Sequence, residues 1–213
     1  MDLKEHKQFS KTRLNVLSGE IEKISELRKN DLCIYTIGSY GRLEASENSD
    51  IDLFFIDTDS ENQTSNIDKT LINAEVIKIC RAMNLPEFSK DGIYLSIHKL
   101  SDIKSELGSP TDDFKNYFTS RLLLLLESQP VYNEELHTKC LEQIIESYYI
   151  DFHDHSENFK PIFLVNDIIR FWKTLCLNYE HRRRRKNKIE EFSGNLIKNV
   201  THSKNLKLGF SRK

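Results

Sequence analysis

Two aspartates separated by one residue, Asp50 and Asp52, are the residues of this sequence best suited to chemistry. They stand at the start of an apolar run with the composition of a β-strand. Because side chains alternate along a strand, both carboxylates would point to one face, roughly 7 Å apart, while Ile51 and Leu53 enter the core. Unpaired carboxylates at this spacing repel each other, and a hard divalent cation such as Mg²⁺ or Mn²⁺ removes that cost. The pair therefore predicts a metal site with Asp50 and Asp52 as ligands.

A glycine and a serine, Gly38 and Ser39, follow the apolar run "LCIYTI" and precede the aspartates. Glycine lets the backbone approach a ligand closely. A helix that begins near Ser39 would direct free N–H groups and the serine hydroxyl at a phosphate. Beside the metal, this turn predicts a cradle for a triphosphate. The chemistry that suits it is transfer of a nucleotidyl group, in which metal ions polarise the α-phosphoryl group and stabilise the departing pyrophosphate.

The elements that position these residues are predicted from hydrophobic periodicity and turn residues. The predicted helices span 12–28, 67–83, 112–128, 133–152 and 159–183, and the predicted strands span 31–37, 49–59 and 92–100. No strand is predicted after residue 108, and "QPVYN" is interpreted as a short connection between helices. The pattern therefore indicates an α/β half up to about residue 108, followed by an all-helical half.

The segment Gly38–Leu53 reads G-S-Y-G-R-x-E-x-S-x-x-S-D-I-D-L. This ordered pattern resembles the signature of the nucleotidyltransferase superfamily that contains DNA polymerase beta. Its G-S-Y-G-R form is most similar to bacterial signal-protein uridylyltransferases and their relatives. The resemblance implies an α+β fold with a small mixed β-sheet and flanking helices, Gly38 and Ser39 at the nucleotide phosphates, and Asp50 and Asp52 as metal ligands. Arg42 matches a further position of the pattern, and we place it among the predicted nucleotide-binding residues.

A weaker similarity extends through "YLSIHKLSDI" and "RLLLLLESQPVYNEE" to "VNDIIRFWKTLCLNYE", as in bacterial proteins that join this domain to a helical region. We therefore predict a nucleotidyltransferase domain in residues 1–108 and an all-α helical bundle region in residues 109–213. The similarity to larger proteins suggests that the helical region could continue beyond residue 213.

The predicted third strand departs from the superfamily, whose active members usually hold a third carboxylate there. Its polar face presents Tyr94, Ser96 and His98, none of which is acidic. Three alternatives stay open. His98 replaces the carboxylate as ligand or base, Asp91 or Asp102 enters the site from an end of the strand, or the site binds nucleotide without turnover. If His98 has no role in the chemistry, we expect it to be a half-buried, hydrogen-bonded side chain.

The C-terminal segment differs from the rest of the chain in charge. The whole chain carries a net charge of −2, but residues 181–213 contain 11 Lys and Arg against 2 Glu, which leaves +9 there and −11 before it. Such a basic end is expected to meet an anion or to dock on the acidic body. Arg182–Arg185 are predicted either to bind RNA phosphates or to form a solvated helix end. Arg170 and Lys173 are predicted to neutralise triphosphate charge, as helical appendages do in this superfamily, and Trp172 to lie in the core.

The lengths of the apolar segments and the spacing of the cysteines indicate the cellular compartment and whether the cysteines form disulfides. No segment has the roughly 18 apolar residues of a membrane span, and the first residues lack a signal peptide, so we expect a cytoplasmic protein with no membrane partner. The four cysteines are far apart and form no CxxC pair, so they are expected to be buried free thiols. They are Cys33, Cys80, Cys140 and Cys176.

The motif and the resemblance predict a metal-dependent nucleotidyltransferase. It would move a nucleoside monophosphate from a triphosphate, ATP or UTP, to a hydroxyl of a protein or tRNA acceptor. A second hypothesis is a nucleotide-sensing or antitoxin-like module that keeps the cradle and uses its helices to hold a partner protein. A third is an RNA-binding protein that depends on the basic run.

Overall fold

Four β-strands form one mixed sheet in the computed structural model, which describes residues 2–58, 64–88, 92, 95–115, 117–154 and 156–208. The strands are β1 (Leu32–Ile37), β2 (Asp52–Asp57), β3 (Ile97–Lys99) and β4 (Gln129–Tyr132). They lie in the order β3-β2-β1-β4, with β1 antiparallel to both of its neighbours and β3 parallel to β2. The small mixed sheet implied by the resemblance is confirmed.

Helices flank this sheet, as expected for the α+β class. They are α1 (Leu3–Ile21), α2 (Gly38–Gly41), α3 (Asn66–Ala82), α4 (Leu100–Ser105), α5 (Pro110–Phe114), α6 (Tyr117–Glu127), α7 (Glu134–Ser147) and α8 (Ile162–Leu208). Asp2 caps α1 in a reciprocal pair with Glu5, and the Ser65 hydroxyl caps α3, so both helices begin at residues suited to a helix start. No helix in the described part of the chain is long and apolar enough to cross a membrane.

Alternate residues of β1 pack in two different cores, one on each face of the sheet. Leu32 and Ile34 of β1 pack in a core that includes residues of α1 and α3, whereas Cys33 and Tyr35 pack in a core that includes residues of α4, α6 and α7. All six residues of β1 are buried. A strand covered on both faces leaves its ends as the places where polar groups can reach solvent or a ligand. The ends of β1 and β2 are therefore where a site can form.

Strand β4 was not predicted, and the expectation that no strand follows residue 108 is wrong. The segment interpreted as a connection between helices pairs with β1, with Tyr132 opposite Ile34 and Pro130 opposite Tyr35. A proline lacks the N–H that a central strand needs, but it is tolerated on an edge strand such as β4. The four-residue strand is too short to produce a recognisable pattern, and its pairing comes from a distant part of the chain.

The contacts divide the chain into two compact units, Met1–Asp167 and Ile168–Lys213. The first unit holds the whole sheet, including β4, which lies within the range predicted to be all-helical. The assignment of a nucleotidyltransferase domain to residues 1–108 and of a helical domain to 109–213 stays a prediction.

The second unit is helical in its described part and presents apolar side chains to solvent. Trp172, predicted to be core, is 63% exposed, and Ile169 and Leu177 are exposed on the same helix. Helical spacing shows which residues share a face but not whether that face is covered, which explains the error. Cys176 is also exposed, in contrast to the other three cysteines, which are buried and free as expected.

A fully buried arginine, Arg121 of α6, joins several segments of the first unit. Its guanidinium donates to both carboxylate oxygens of Asp112 at 2.9 and 2.7 Å, to Asp167 at 2.8 Å and to the Ile103 carbonyl at 2.8 Å. The Tyr148 hydroxyl donates to Asp167 at 2.8 Å. Burial alone would lower the pKa of Arg121, but hydrogen bonds to the two aspartates outweigh it and raise that pKa. The guanidinium therefore stays charged and holds α4, α5, α6 and the start of α8 to one point.

Replacement of Arg121 by methionine is expected to destabilise the first unit strongly. Arg121→Met removes the guanidinium that pairs with the buried carboxylates of Asp112 and Asp167, and breaking a buried ion pair costs about 3–5 kcal/mol. Urea denaturation followed by circular dichroism measures the loss in the free energy of unfolding. Arg81→Met is the matched control, because Arg81 and Glu87 form a pair whose side chains are 65% and 75% exposed. It should change stability by less than about 1 kcal/mol. Equal losses in the two variants would contradict the structural role of Arg121.

Candidate functional site

The pairing of β1 with β2 places the turn after β1 beside the first residue of β2. Ile37 lies opposite Asp52 in this antiparallel pair. Gly38 follows with φ of +67°, a left-handed backbone that glycine adopts without strain. A Cβ atom on Gly38 would lie 3.5 Å from Oδ2 of Asp52, and the Thr36 hydroxyl donates to the Asp52 carbonyl at 3.0 Å. The structure thus brings Gly38 and Asp52 together at one end of the sheet, with Ser39 next in the chain.

The two aspartates occupy different positions at this end of the sheet. Asp50 lies two residues before β2 and is exposed, whereas Asp52 begins the strand and is half-buried. Ile51 and Leu53 are buried in the core that includes α1 and α3, and Phe54 is buried in the core on the other face. Successive side chains therefore lie on alternate faces of the sheet, as a strand requires. The assignment of both carboxylates as metal ligands stays a prediction.

Two serines of the motif shape the loop that leads to Asp50. The Ser46 N–H donates to the Ser49 hydroxyl at 2.9 Å, and the Ser49 N–H donates to the Ser46 carbonyl at 3.0 Å. The Glu44 N–H donates to the Ser39 carbonyl at 2.7 Å, which ties the beginning of the same loop to α2. Serine side chains that bond nearby backbone groups stabilise turns of this kind. The S-x-x-S spacing of the motif therefore has a local structural reason.

The second glycine of the motif, Gly41, allows the backbone in front of β4 to approach. A Cβ atom on Gly41 would lie 1.9 Å from the carbonyl oxygen of Glu127 and 3.1 Å from that of Thr36. Both are backbone atoms, held by α6 and by β1, so neither can move aside without distorting its element. Only glycine fits this position, because the motif turn packs directly against the end of α6.

Arg42, predicted to bind nucleotide, is held by two carboxylates. Its Nε donates to Glu44 at 2.9 Å, and its guanidinium also pairs with the side chain of Glu127. Hydrogen bonding to Glu44, and then to Glu127, raises the pKa of Arg42 against the effect of its partial burial. Arg42 therefore links the motif to the end of α6, a contact that the motif itself did not indicate. Its contact with a nucleotide stays a prediction.

His98 lies in an aromatic cluster, four residues along the sheet from Asp52. It stands opposite Ile56 in the parallel β2–β3 pair. Ile56 is four residues after Asp52, so this point of the sheet lies about 13 Å from the start of β2 at the usual strand rise. Its ring lies 6.5 Å from that of Phe54 and 6.0 Å from that of Tyr117, measured between centroids. Burial lowers the pKa of His98. The half-buried interpretation matches this placement, and a role of His98 as ligand or base stays a prediction.

Two aspartates, Asp91 and Asp102, are the alternatives to His98 as the third metal ligand or base. Asp102 lies in α4, where it accepts a hydrogen bond from the Tyr117 hydroxyl at 3.4 Å. Its negative charge raises the pKa of His98, but burial lowers that pKa by more. Asp102 therefore belongs to the surroundings of His98. Asp91 lies outside the described residues.

The donor set at the motif suits a hard cation. Among the described residues, no three His, Cys, Asp or Glu side chains are grouped so that they could hold a metal ion. Asp50 and Asp52 offer carboxylate oxygens, and Mg²⁺ typically takes one or two protein carboxylates together with waters and substrate phosphates. The two residues fit an ion of that kind and do not fit a closed structural zinc site.

The basic residues predicted to meet anions belong to the second compact unit. Arg170 is half-buried, and Lys173 and Arg182–Arg185 are exposed. Glu180 pairs with Arg183 at 2.5 Å and with Arg184 at 3.5 Å, one helical turn away. Ion pairs within a helix of this kind contribute little to stability and leave the charge accessible. The predicted contacts of Arg170 and Lys173 with a triphosphate stay predictions.

Comparison with known proteins gives little similarity. No family model matches the chain, and no curated protein is similar enough to count as a relative. A crystal structure of a toxin-antitoxin with AMP-PNP matches with a TM-score of 0.35 and 16% identity, over 71% of this chain and 98% of that chain. At this level of similarity, the neighbour assigns no role to any residue of this chain.

Substitution of Gly41 by alanine is expected to destabilise the protein. The added Cβ collides with the Glu127 carbonyl, and relief requires a backbone shift that costs at least about 2 kcal/mol. Gly19→Ala is the matched control, because Gly19 lies in α1 with nothing within 4 Å of its added Cβ. Alanine there should stabilise the helix by up to about 1 kcal/mol. Chemical denaturation of both variants measures the difference, and a neutral Gly41→Ala variant would contradict the close approach.

The half-buried His98 is expected to make stability depend on pH. Its pKa in the folded protein lies below the value of about 6.5 in the unfolded chain, so the unfolded state binds more protons as the pH falls. The free energy of unfolding should therefore decrease from pH 7 to pH 5. His98→Phe keeps a ring beside Phe54 and should reduce that decrease, whereas the control His153→Phe, at an exposed position, should not. Denaturation at several pH values tests this, and an unchanged slope in His98→Phe would count against it.

Proposed function

We propose that this chain is a metal-dependent nucleotidyltransferase that moves a nucleoside monophosphate from a triphosphate to a hydroxyl group. The observation that supports the proposal is the closeness of the Gly38 turn to the Asp52 carboxylate at the end of the sheet, where a Cβ atom on Gly38 would lie 3.5 Å from Oδ2. A side chain at position 38 would begin next to this carboxylate, and glycine leaves that position without one. We therefore place the ligand where it would approach both the turn and the acid.

The residues of the motif have complementary roles in this proposal. Asp50 and Asp52 hold Mg²⁺, and the Ser39 hydroxyl and the adjacent backbone N–H groups donate to phosphate oxygens. When bound, the cation supplies positive charge that stabilises the α-phosphoryl group and the pyrophosphate that leaves. Asp52 is held in place by the pairing of β2 with β1 and by the Thr36 hydrogen bond to its carbonyl. A backbone fixed before the ligand arrives reduces the reorganisation that the reaction would otherwise need.

The proposed nucleotide is ATP or UTP, and the proposed acceptor is a hydroxyl of a protein or of tRNA. Both follow from the resemblance of Gly38–Leu53 to the superfamily signature. The positive charge of residues 181–213 also favours an acceptor with a negative surface, since Arg182–Arg185 are exposed.

A second candidate function is a module that binds nucleotide without turnover and acts by holding a partner protein. The placement of His98 favours it, because that residue stands beside Ile56 and Phe54 and not beside Asp52. The two candidates share the same nucleotide site and differ in whether pyrophosphate is released.

Release of pyrophosphate is the measurement that tests the proposed transfer. The purified protein with Mg²⁺ and each of the four ribonucleoside triphosphates is expected to release pyrophosphate with one or more of them. Asp52→Asn should lower the rate at least about 100-fold, because it removes a group that acts on the charge developed in the transition state. Asp31→Asn, at an exposed position before β1, is the matched control and should keep the full rate.

The outcomes separate the candidate functions. Nucleotide binding without pyrophosphate release would support the second candidate and contradict the first. Full pyrophosphate release from the double variant Asp50→Asn and Asp52→Asn would show that the two carboxylates are not the site.

A further inference from the structure

Two polar side chains of α1 contact the loop between α2 and β2. The hydroxyl of Ser10, which is fully buried, accepts a hydrogen bond from the Ala45 N–H at 3.0 Å and donates to the His6 carbonyl at 2.8 Å. Nδ1 of His6 lies 2.9 Å from the Ala45 carbonyl oxygen. Because a carbonyl oxygen can only accept, Nδ1 carries the proton in this contact. Both hydrogen-bonding groups of the Ala45 residue are therefore satisfied by α1.

Ala45 is the point at which the loop turns toward the aspartates. It is fully buried, and the turn formed by Ser46 and Ser49 follows directly and leads to Asp50. A buried backbone group without a partner costs free energy, so the loop keeps this path only while α1 supplies the bonds. Loss of either bond would let the segment before Asp50 shift, whereas Asp52 would remain fixed by the sheet.

We propose that His6 and Ser10 are positioning residues that set the location of Asp50 relative to Asp52. The inference rests on the proposed function, since it assigns these residues to the binding of a cation and a nucleotide. Neither residue touches the ligand. They act through the backbone of Ala45, and their effect is on the spacing of the two carboxylates. Mg²⁺ demands near-ideal ligand geometry, so a change in that spacing weakens its binding together with the nucleotide phosphates.

Two substitutions of His6 separate positioning from stability. The side-chain nitrogen of asparagine can stand where Nδ1 stands, so His6→Asn retains the donor and His6→Leu removes it. The probe is a fluorescent, non-hydrolysable ATP analogue, titrated at several Mg²⁺ concentrations. His6→Leu is expected to weaken its binding about threefold to tenfold, which corresponds to one hydrogen bond, and His6→Asn should restore it. Ser10→Ala should resemble His6→Leu, and Ser18→Ala on the same helix should bind like the wild type.

Amide hydrogen exchange provides a second measurement that needs no ligand. His6→Leu and Ser10→Ala are expected to speed exchange at Ala45 and at neighbouring amides of the loop, while exchange in β1 stays unchanged. Equal acceleration in β1 would show general destabilisation and would overturn the positioning role.

The binding outcomes distinguish this inference from the proposed function. If the wild type binds the analogue with Mg²⁺ but His6→Leu binds it as tightly, the inference fails and the proposed function stands. If the wild type and Asp52→Asn both fail to bind any Mg²⁺–nucleotide complex, the proposed function fails, and the assignment of His6 and Ser10 to it fails as well.

Discussion

The register between β1 and β2 is the constraint on which the candidate site depends. Ile37 stands opposite Asp52, and this places the Gly38 turn against the carboxylate. A slip of one residue would turn every side chain of β2 to the other face, so that Asp52 would enter the core that includes residues of α1 and α3, and Leu53 would leave that core for the opposite face. Leu53 and Phe55 are fully buried in that core, so a slip that places Asp52 there would bury a carboxylate among apolar side chains, at a cost that opposes it. The apolar residues of the strand thus determine where its polar residue lies.

The motif depends on a part of the chain that is remote in sequence. Glu127 is the last residue of α6, two residues before β4 begins. Its backbone carbonyl packs against Gly41, and its side-chain carboxylate pairs with Arg42. Since β4 then pairs with β1, the motif turn is held from both sides of the strand that precedes it. Gly41 and Arg42 of G-S-Y-G-R therefore contact the end of α6, and Gly38 forms the turn beside Asp52.

Features with a local cause can be predicted from the sequence, and features with a distant cause cannot. The strands that carry the motif follow from short apolar runs, and the turn at Gly38 follows from the glycine itself. Strand β4 has no such pattern, because its four residues include Pro130 and its partner is far away in the chain. Arg121 stands before five leucines, and the sequence does not indicate that aspartates 9 and 46 residues away meet it. The position of His98 depends on the register of β3, which starts only at Ile97.

Asp50 and Asp52 are supported by different parts of the fold. This difference affects how constant the spacing of the two carboxylates around a shared cation would be. Asp52 is fixed by strand pairing and by the Thr36 hydrogen bond, both of which depend on the buried sheet. Asp50 is exposed and follows a loop whose bonds come from the Ser46–Ser49 turn and from α1. Because local stability is lowest where few apolar contacts support the backbone, the spacing of the carboxylates is expected to vary on the Asp50 side. Helix α1 therefore covers one face of the sheet and also limits the movement of the more weakly supported acid.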